Sequence, residues 1–494
     1  MPSLAPGLYE LQISAPGFGA VTAQVSIVGG KSETQDFSLR IGSTEDQVAV
    51  SAQGALEVER ESHELRTDLS SKELTELPSN GRNPLSLALL APATESASDA
   101  SQNTSSGQSF GTTANQLNIG GALDSQTGYL QDGVQNVTLF TQSANMLASV
   151  DAIRQMSIIT NGADARYAQP SIVNIITRGG SNHFHGTLFD FLQNDDLNAQ
   201  SYSLTGAGQI KTPIRYNLYG GTVGGPILHN KLFFFGSYLG LRDSNTAYTT
   251  TRVPTDAERA GDFSAGTITL YDPLTYTNGT NKSFLATTGS NAIPASRISP
   301  FATTLLTYIP NSNIALNTTL NINYQAPLKS TINSDQYLER ADWALSSRDQ
   351  LYVAGGYSQN PTVTPSFITK LYRNAYRISA VNAFLEETHV LSSRLVNTVR
   401  AGYNRSVLLS TVLGAGARPY YQEFGLKNLA PQPQQWAPPT LAITSYFSVG
   451  TRYAPQGATQ SRSNMPTRSI IRSANTTSSS AESLSVHNST ETGP

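Results

Sequence analysis

The segment between residues 172 and 242 constrains the fold more than any other part of this chain. It contains three extended, aromatic-rich runs divided by Gly, Pro, Asn and Ser, which cover residues 172–186, 216–227 and 231–242. No helical period competes with the alternation inside these runs, so the pattern predicts β-strands that end in tight turns. The fold is therefore expected to be mainly β.

Composition narrows the possible classes of protein. Charged residues make up 14% of the 494 residues, well below the roughly 25% of ordinary soluble domains. The net charge of -3 and the lack of a long basic run argue against nucleic-acid binding. The chain has no cysteine, which excludes disulfides and thiolate-ligated metals.

Membrane-spanning helices are excluded, but membrane-spanning strands are not. No apolar run approaches the roughly 18 residues that a membrane helix needs. In a β-barrel only alternate residues face lipid, so a mean hydropathy of -0.25 is compatible with a barrel embedded in a bilayer.

The pattern of apolar and polar residues changes twice within the first 182 residues. Residues 7–41 alternate apolar and polar side chains in three short runs around Tyr9, Val25 and Phe37, which predicts three half-buried strands. After residue 41 comes a linker with a single extended segment. A mixture of short strands and short helices follows, including a capping box at Ser70 and Glu73 and a predicted helix near residues 150–156.

Long hairpins dominate from residue 183 onward. One hairpin turns at residues 346–349, and its first strand sets Ala341, Trp343 and Leu345 against Arg340 and Asp342. A second turns at Ser392–Ser393, and its return strand sets Leu395, Val399, Ala401 and Tyr403 against Thr398, Arg400, Gly402 and Asn404. We expect the apolar side chains to face lipid and the polar ones a lumen. We expect the same lipid exposure for Phe233 and Phe235.

Several short motifs carry a resemblance to a known family. They are Gly224-Gly-Pro-Ile227, Ser181-Asn-His-Phe-His-Gly186, Gln131-Asp-Gly-Val134 and Asp151-Ala-Ile-Arg154. Together they resemble TonB-dependent outer-membrane receptors, specifically the Oar-like branch that has an N-terminal carboxypeptidase-regulatory-like domain. The fold class that this implies combines a partial β-sandwich, a small α+β plug domain and an incomplete antiparallel transmembrane β-barrel.

The resemblance also implies a division into domains. We expect the C-terminal part of the regulatory-like sandwich at 1–41, a linker at 42–66, a plug at 67–182, the N-terminal part of the barrel at 183–453 with a long loop at 244–334, and a disordered tail at 454–494. About seven barrel strands lie between Phe184 and Arg405, whereas plugged outer-membrane transporters have about 22. No export signal is visible, so we expect a fragment that lacks the signal peptide and most of the barrel.

The function implied is that of a receptor or transporter in the outer membrane of a Gram-negative bacterium. Such a protein is surrounded by outer-membrane lipid, and a TonB-type protein energises uptake or export of a large extracellular ligand, here unidentified. The candidate TonB box, which would pair with TonB as an added β-strand, comprises Asp46, Gln47, Val48, Ala49, Val50 and Ser51. The alternative for this segment is a linker strand that packs on the sandwich. The alternative for the whole protein is a surface adhesin or structural envelope protein without transport.

Motifs for catalysis and for metals are weak in this chain. Ser109 lies in a G-x-S-x-G match, but the strand and helix that a nucleophile elbow needs are not predicted around it. An esterase is therefore only a third hypothesis. His183 and His185 lack a third ligand, and Asn194-Asp-Asp196 lacks the spacing of a calcium loop. We predict no catalytic residue, no cofactor and no metal site, and we give the N-x-S/T sites at Asn136 and Asn404 no weight.

Overall fold

The computed structural model describes most of the chain between residues 7 and 490. The described residues are 7–13, 21–27, 48–50, 64–96, 116–123, 126–138, 142–163, 167, 169–199, 211–266, 268–392, 395–412, 416–426, 432–433, 436–450, 456–472 and 477–490. For residues 7–13, 21–27, 48–50, 80, 411–412, 456–472 and 477–490 only the backbone is described.

A three-stranded sheet stands first in the chain. Strands β1 (Gly7–Ile13) and β2 (Val21–Ile27) pair antiparallel, as their alternation predicts. Strand β3 (Val48–Val50) pairs in parallel with the start of β2. The strand predicted around Phe37 lies outside the described residues.

A small α+β domain follows, which we call the inner domain (residues 64–180). Its strands are β4 (Leu65–Ser70), β5 (Thr94–Ser96), β6 (Leu117–Ile119), β7 (Thr127–Gln131), β8 (Val134–Gln135), β9 (Ile153–Asn161) and β10 (Ser171–Thr177). Five of them form one sheet in the order β4-β9-β10-β7-β8, and β5 pairs with β6. Helices α1 (Ser71–Glu76) and α2 (Pro84–Leu87) complete the domain.

Two local predictions for the inner domain have different outcomes. The capping box is confirmed, because the Ser70 hydroxyl accepts from the Glu73 N–H and the Glu73 carboxylate accepts from the Ser70 N–H. The helix predicted near residues 150–156 is wrong. Residues 150–152 form one 3-10 turn and β9 begins at Ile153. Isoleucines in this run favour extended backbone, and β9 gains partners on both sides, β4 and β10.

The largest element is a nine-stranded antiparallel sheet, which we call the wall. Its strands are β11 (His185–Asn194), β12 (Ile214–Leu228), β13 (Leu232–Thr251), β16 (Tyr324–Ala344), β17 (Asp349–Pro365), β18 (Arg373–Ser392), β19 (Leu395–Val412), β22 (Gln456–Arg472) and β23 (Thr477–Thr490), and they pair in this order. Seven of these strands lie between His185 and Val412, as counted from the sequence. Among the strands that the structure describes, β11 and β23 form the two edges of the wall.

The C-terminal segment differs from the prediction. Residues 454–494 were expected to be a disordered tail, yet β22 pairs with β19 and β23 pairs with β22 over most of their lengths. These strands are rich in Ser, Thr and Asn, so no apolar alternation announces them. Strand pairing needs only backbone donors and acceptors, and a polar sequence supplies these as well as an apolar one.

Alternation along the wall strands separates an inward from an outward face. Leu338 is 1% exposed on the inward face, whereas Trp343 and Tyr403 are 46% and 38% exposed on the outward face. This confirms the faces predicted for both hairpins. The expectation for Phe235 is wrong: it is 1% exposed, because it pairs with Arg340 and therefore points inward. Phe233, which pairs with Asp342, also has inward parity.

The connections between wall strands are unequal in length. The predicted loop at 244–334 is shorter than expected because β13 extends to Thr251 and β16 begins at Tyr324. The connection between them contains β14 (Tyr271–Thr277), β15 (Thr280–Ser283), α3 (Asp256–Arg259), α4 (Phe284–Thr288) and α5 (Pro300–Leu306). After β19 come α6 (Tyr420–Glu423), β20 (Leu441–Ile443) and β21 (Phe447–Val449). No described helix is long and apolar enough to cross a membrane.

We predict that an arginine on the outward face destabilises the wall according to its depth. Val353 is paired with the apolar residues Ala341 and Leu385 on its two neighbouring strands, whereas Leu409 lies close to the far end of β19 and is paired with Arg377; both are outward and partly exposed. Val353→Arg should lower the free energy of unfolding in lipid vesicles by about 2–4 kcal/mol, and Leu409→Arg by about 0–1 kcal/mol. Urea titration of both variants measures this, and equal losses would argue against a lipid-facing outward surface.

Candidate functional site at the inner domain and wall

The inner domain packs directly against the inward face of the wall, and this contact is the candidate functional site. Phe235, Leu338 and Ala380 of the wall belong to the same buried cluster as Met146 and Leu147 of the inner domain. The two units therefore share one core rather than meeting through a wet gap.

A tight turn between β7 and β8 contacts the wall directly. Asp132 and Gly133 have φ angles of 50° and 78°, and the second of these left-handed conformations favours glycine. The Asp132 carboxylate accepts hydrogen bonds from the backbone N–H of Thr177 at 2.9 Å and from its hydroxyl at 2.8 Å. The Asp132 side chain is only 3% exposed.

Arg340 of the wall meets this turn from one side. Its Nη1 lies 3.5 Å from Asp132 Oδ1, its Nη2 donates to Asp342 Oδ1 at 2.6 Å, and its guanidinium lies 4.3 Å from the centre of the Tyr352 ring. The Tyr352 hydroxyl donates to the backbone carbonyl of Asp132 at 3.2 Å. Burial raises the pKa of the Asp132 carboxyl, while Arg340 and the bonds from Thr177 act in the opposite direction.

Arg400 meets the same turn from the other side. Its Nε donates to the Glu386 carboxylate, and a Cβ placed on Gly133 would lie 3.1 Å from its Nη1. The turn is therefore held between two wall arginines, each of which has a carboxylate partner of its own on the wall. Both arginines were predicted to face the lumen, and both do.

Two wall glycines allow the inner domain to approach this closely. A Cβ built on Gly402 would overlap Cγ1 of Val134, and a Cβ built on Gly356 would overlap Cε of Met146. A larger residue at Gly402 must displace the short Val134 side chain, and one at Gly356 must displace the flexible end of Met146. The wall backbone at these glycines is thus part of the surface on which the inner domain rests, and we call this surface the seat.

Buried amide side chains make a second set of polar contacts between the inner domain and the wall, in addition to those of Arg340 and Arg400. Asn145 Nδ2 donates to Asn382 Oδ1 at 3.0 Å and also to Asn404 Oδ1. Asn382 Nδ2 donates to Asn136 Oδ1 at 2.8 Å, and Gln336 Nε2 donates to the carbonyl of Leu147 at 2.6 Å. All four asparagines are at most 4% exposed. The sequence predicts no role for Asn136, and for Asn404 it predicts only a position on the lumenal face of β19.

The residues weighed for catalysis or metal binding make local contacts instead. His185 Nδ1 lies 3.0 Å from the carbonyl of His183, and Asp195 and Asp196 both pair with Arg215 at a 3-10 turn. His185 is the first residue of β11, and Asn194 is its last. Ser109 lies outside the described residues.

The candidate TonB box falls partly within the described residues. Val48, Ala49 and Val50 form β3, while Asp46, Gln47 and Ser51 lie outside the described part of the chain. Strand β3 is at the edge of its sheet, with β2 on one side.

The loops at the end of the wall away from the short turns pack into one unit, which we call the cap. Its core consists of Val253, Leu305, Ile309, Phe367, Ile368, Leu371, Tyr372, Tyr420, Phe424, Phe447 and Val449. Three connections contribute, after β13, after β17 and after β19. Arg297 bonds both carboxylate oxygens of Asp272 in the first of them and holds the pKa of that carboxyl below its usual value. Sequence reasoning treated this first connection as a plain loop.

Comparison with known families gives the wall its identity. The family described as "Outer membrane beta barrel domain" matches residues 176–471, which is more than half of the chain. The chain belongs to this family. An outer membrane β-barrel domain lies in the outer membrane of a Gram-negative bacterium, which confirms the predicted location, and the mainly β fold with a large antiparallel sheet is confirmed as well.

Individual proteins resemble this outer membrane β-barrel chain over different lengths. The TonB-dependent transporter Oar of Myxococcus xanthus is 33% identical over 143 residues, which are 28% of this chain and 13% of that protein. The outer membrane transporter YddB of Escherichia coli has a TM-score of 0.49 at 10% identity over 83% of this chain and 45% of its own. The siderophore receptor PirA of Acinetobacter baumannii has a TM-score of 0.37 at 13% identity over 86% and 59%. The chain thus spans about half the length of these solved proteins.

We predict that adjacent glycines on opposite faces of β17 respond differently to a methyl group. Gly356→Ala should lower the free energy of unfolding by about 1 kcal/mol, because the Met146 side chain must change its rotamer and the new Cβ lies 3.1 Å from the Tyr337 carbonyl oxygen. Gly355→Ala is the matched control: its Cβ lies 3.5 Å from the Asn382 carbonyl oxygen, an ordinary contact, so its effect should stay within about 0.5 kcal/mol. Protease protection of the inner domain in urea reports both. Equal effects would mean that the inner domain does not rest on Gly356.

Proposed function

We propose that this protein acts in TonB-dependent transport across the outer membrane, as an Oar-like receptor whose inner domain is the plug. The observation that carries the proposal is the polar seat between the inner domain and the wall. A hydrogen bond in such a seat contributes only about 0.5–1.5 kcal/mol net, because water replaces the lost partner. A plug held in this way blocks the lumen firmly and can still be remodelled when it is pulled.

The similarity to the Myxococcus protein supports the proposal that a TonB-type protein supplies the energy for transport. That protein is named a TonB-dependent transporter, and it matches this chain at 33% identity over the aligned segment. By this relation, a TonB-type protein would energise uptake or export of a large ligand whose identity is open. In the same proposal β1 and β2 belong to the C-terminal part of a carboxypeptidase-regulatory-like sandwich at residues 1–41.

The segment from Asp46 to Ser51 is the proposed TonB box. Strand β3 supports this assignment because it lies at a sheet edge, where an incoming strand finds backbone donors and acceptors. Val48 and Val50 would point to the same side and set the register of the added strand. The pairing of β3 with β2 is compatible with the alternative, a linker strand, and the two are separated by experiment.

The remaining surfaces have proposed partners as well. The outward face of the wall would contact outer-membrane lipid, and the cap would contact the extracellular ligand. Transport of this kind makes or breaks no covalent bond in its cargo, so the proposed role requires neither a catalytic residue nor a cofactor.

We predict that Val50→Pro weakens binding of a purified TonB periplasmic domain to the full chain in detergent micelles by at least about tenfold, a loss of roughly 1.4 kcal/mol. Proline removes a backbone donor that an added strand would use. Val50→Thr keeps the donor and the preference for extended backbone, so it should bind like the wild type. If the wild type does not bind TonB at all, the adhesin alternative is favoured; if Val50→Pro binds normally, the TonB box is elsewhere.

We also predict that the contact between plug and wall opens only in energised cells. Because the chain has no cysteine, Ala380→Cys introduces a single thiol, and Ala380 is 1% exposed in the shared core. A membrane-impermeant maleimide should label it in cells with a working TonB system and not in cells without one. Thr288→Cys in the cap is the control and should be labelled in both. Equal labelling of Ala380→Cys in both strains would contradict a plug that moves with TonB.

A further inference from the structure

A cluster of three potential metal ligands lies on the outward face of the wall, at the turn ends of β17 and β18. Asp349, Glu387 and His389 each offer one ligand atom, and these atoms all lie within 4.8 Å of one another. We propose that the three side chains form a binding site for a divalent transition metal, with Zn²⁺ as the preferred occupant.

Strand register explains why these three side chains meet. Asp349 is paired with His389 directly across the ladder between β17 and β18, and Leu351 is paired with Glu387. Glu387 and His389 are two residues apart on one strand, so they point to the same face. Glu386, next in the chain, points inward to Arg400 instead. The ladder therefore presents one imidazole and two carboxylates side by side on the outward surface.

The adjacent turn fixes the position of Asp349. The Ser346 hydroxyl contacts the Asp349 carboxylate and accepts from the backbone N–H of Arg348 at 3.0 Å. The carbonyl of Arg348 accepts from the Val390 N–H at 2.8 Å, which ties the turn to the strand that carries His389. Two ligands are thus held by backbone pairing on a continuous sheet, and a rigid support of this kind favours metal binding.

The charges of the cluster are incompletely balanced. His389 Nδ1 contacts Asp349 Oδ1, whereas Glu387 has no hydrogen-bond or ion-pair partner within the described part of the chain. Arg348, in the turn, is the nearby cation. Carboxylates on the outward face of a barrel are unfavourable near lipid, and a divalent cation would neutralise both of them together.

The donor set selects the metal. One imidazole nitrogen with two carboxylate oxygens suits Zn²⁺, with a water at the fourth position, whereas Ca²⁺ takes six to eight oxygen ligands. Around a tetrahedral zinc, ligand atoms lie about 3.3 Å apart, from bonds of roughly 2.0–2.2 Å. To take up this geometry, the direct contact between His389 Nδ1 and Asp349 Oδ1 would have to open so that a metal ion could stand between the two atoms. The bound metal would join the ends of two wall strands near the level of the lipid head groups.

The simpler interpretation is a polar strand end with a His–Asp pair and no metal, and calorimetry separates the two. The test uses the untagged full chain, metal-free, in detergent micelles, titrated with ZnCl₂. We expect one Zn²⁺ per chain, and at least about tenfold weaker binding after His389→Ala, Asp349→Asn or Glu387→Gln, because each removes a direct ligand. Ca²⁺ should bind much more weakly than Zn²⁺.

Matched controls are available on the same chain. Glu339→Gln changes another outward carboxylate, and His183→Ala with His185→Ala removes two histidines at the β11 edge of the wall, away from the cluster; both should bind Zn²⁺ like the wild type. Absence of Zn²⁺ binding to the wild type, or unchanged affinity in all three ligand variants, would overturn the proposal. A zinc absorption-edge spectrum keeps the test independent of variant folding: it should show mixed imidazole and carboxylate ligation in the wild type, and a spectrum without imidazole would overturn it.

Discussion

The structure depends on an unbroken antiparallel register across the wall. Because side chains alternate between two faces, a shift of one residue in any strand would exchange every inward group with an outward one. Arg340, Leu338 and Gln336 share the inward face of β16, and Trp343 and Tyr337 share the outward face. The same ladder therefore determines which surface receives the inner domain, which surface is proposed to meet lipid, and where the proposed zinc ligands meet.

The seat of the inner domain combines groups of different kinds. The Asp132–Gly133 turn lies between two arginines, Gly356 and Gly402 admit Met146 and Val134, and asparagines bond across the interface. The two glycines let the inner domain approach the wall closely. The buried polar groups make this arrangement specific, because each one left without a partner costs about 1–3 kcal/mol. The interface thus combines a shared apolar core with buried polar contacts, and in the proposed plug the polar contacts are the ones that water can replace when the inner domain moves.

Features of the fold that depend on a few neighbouring residues could be predicted from the sequence. The hairpin turn near Ser346, the faces of β16 and β19 and the capping box at Ser70 all follow from patterns of a few residues. The predictions that failed also have definite physical causes. The inward direction of Phe235 depends on pairing with β16, about a hundred residues later, and β22 and β23 lack an apolar pattern. The amide layer joins Asn145 to Asn382, 237 residues apart, and no local pattern reports such a pair.

The central claim is that one face of the wall is in lipid and the other is covered by the inner domain. Single cysteines at each position from 336 to 343 of β16, introduced into this cysteine-free chain and labelled with a fluorophore, test it most directly. In vesicles with a lipid-borne quencher, we expect strong quenching at positions 337, 339, 341 and 343 and weak quenching at 336, 338, 340 and 342. Quenching without this period of two, or with the opposite phase, would contradict the account.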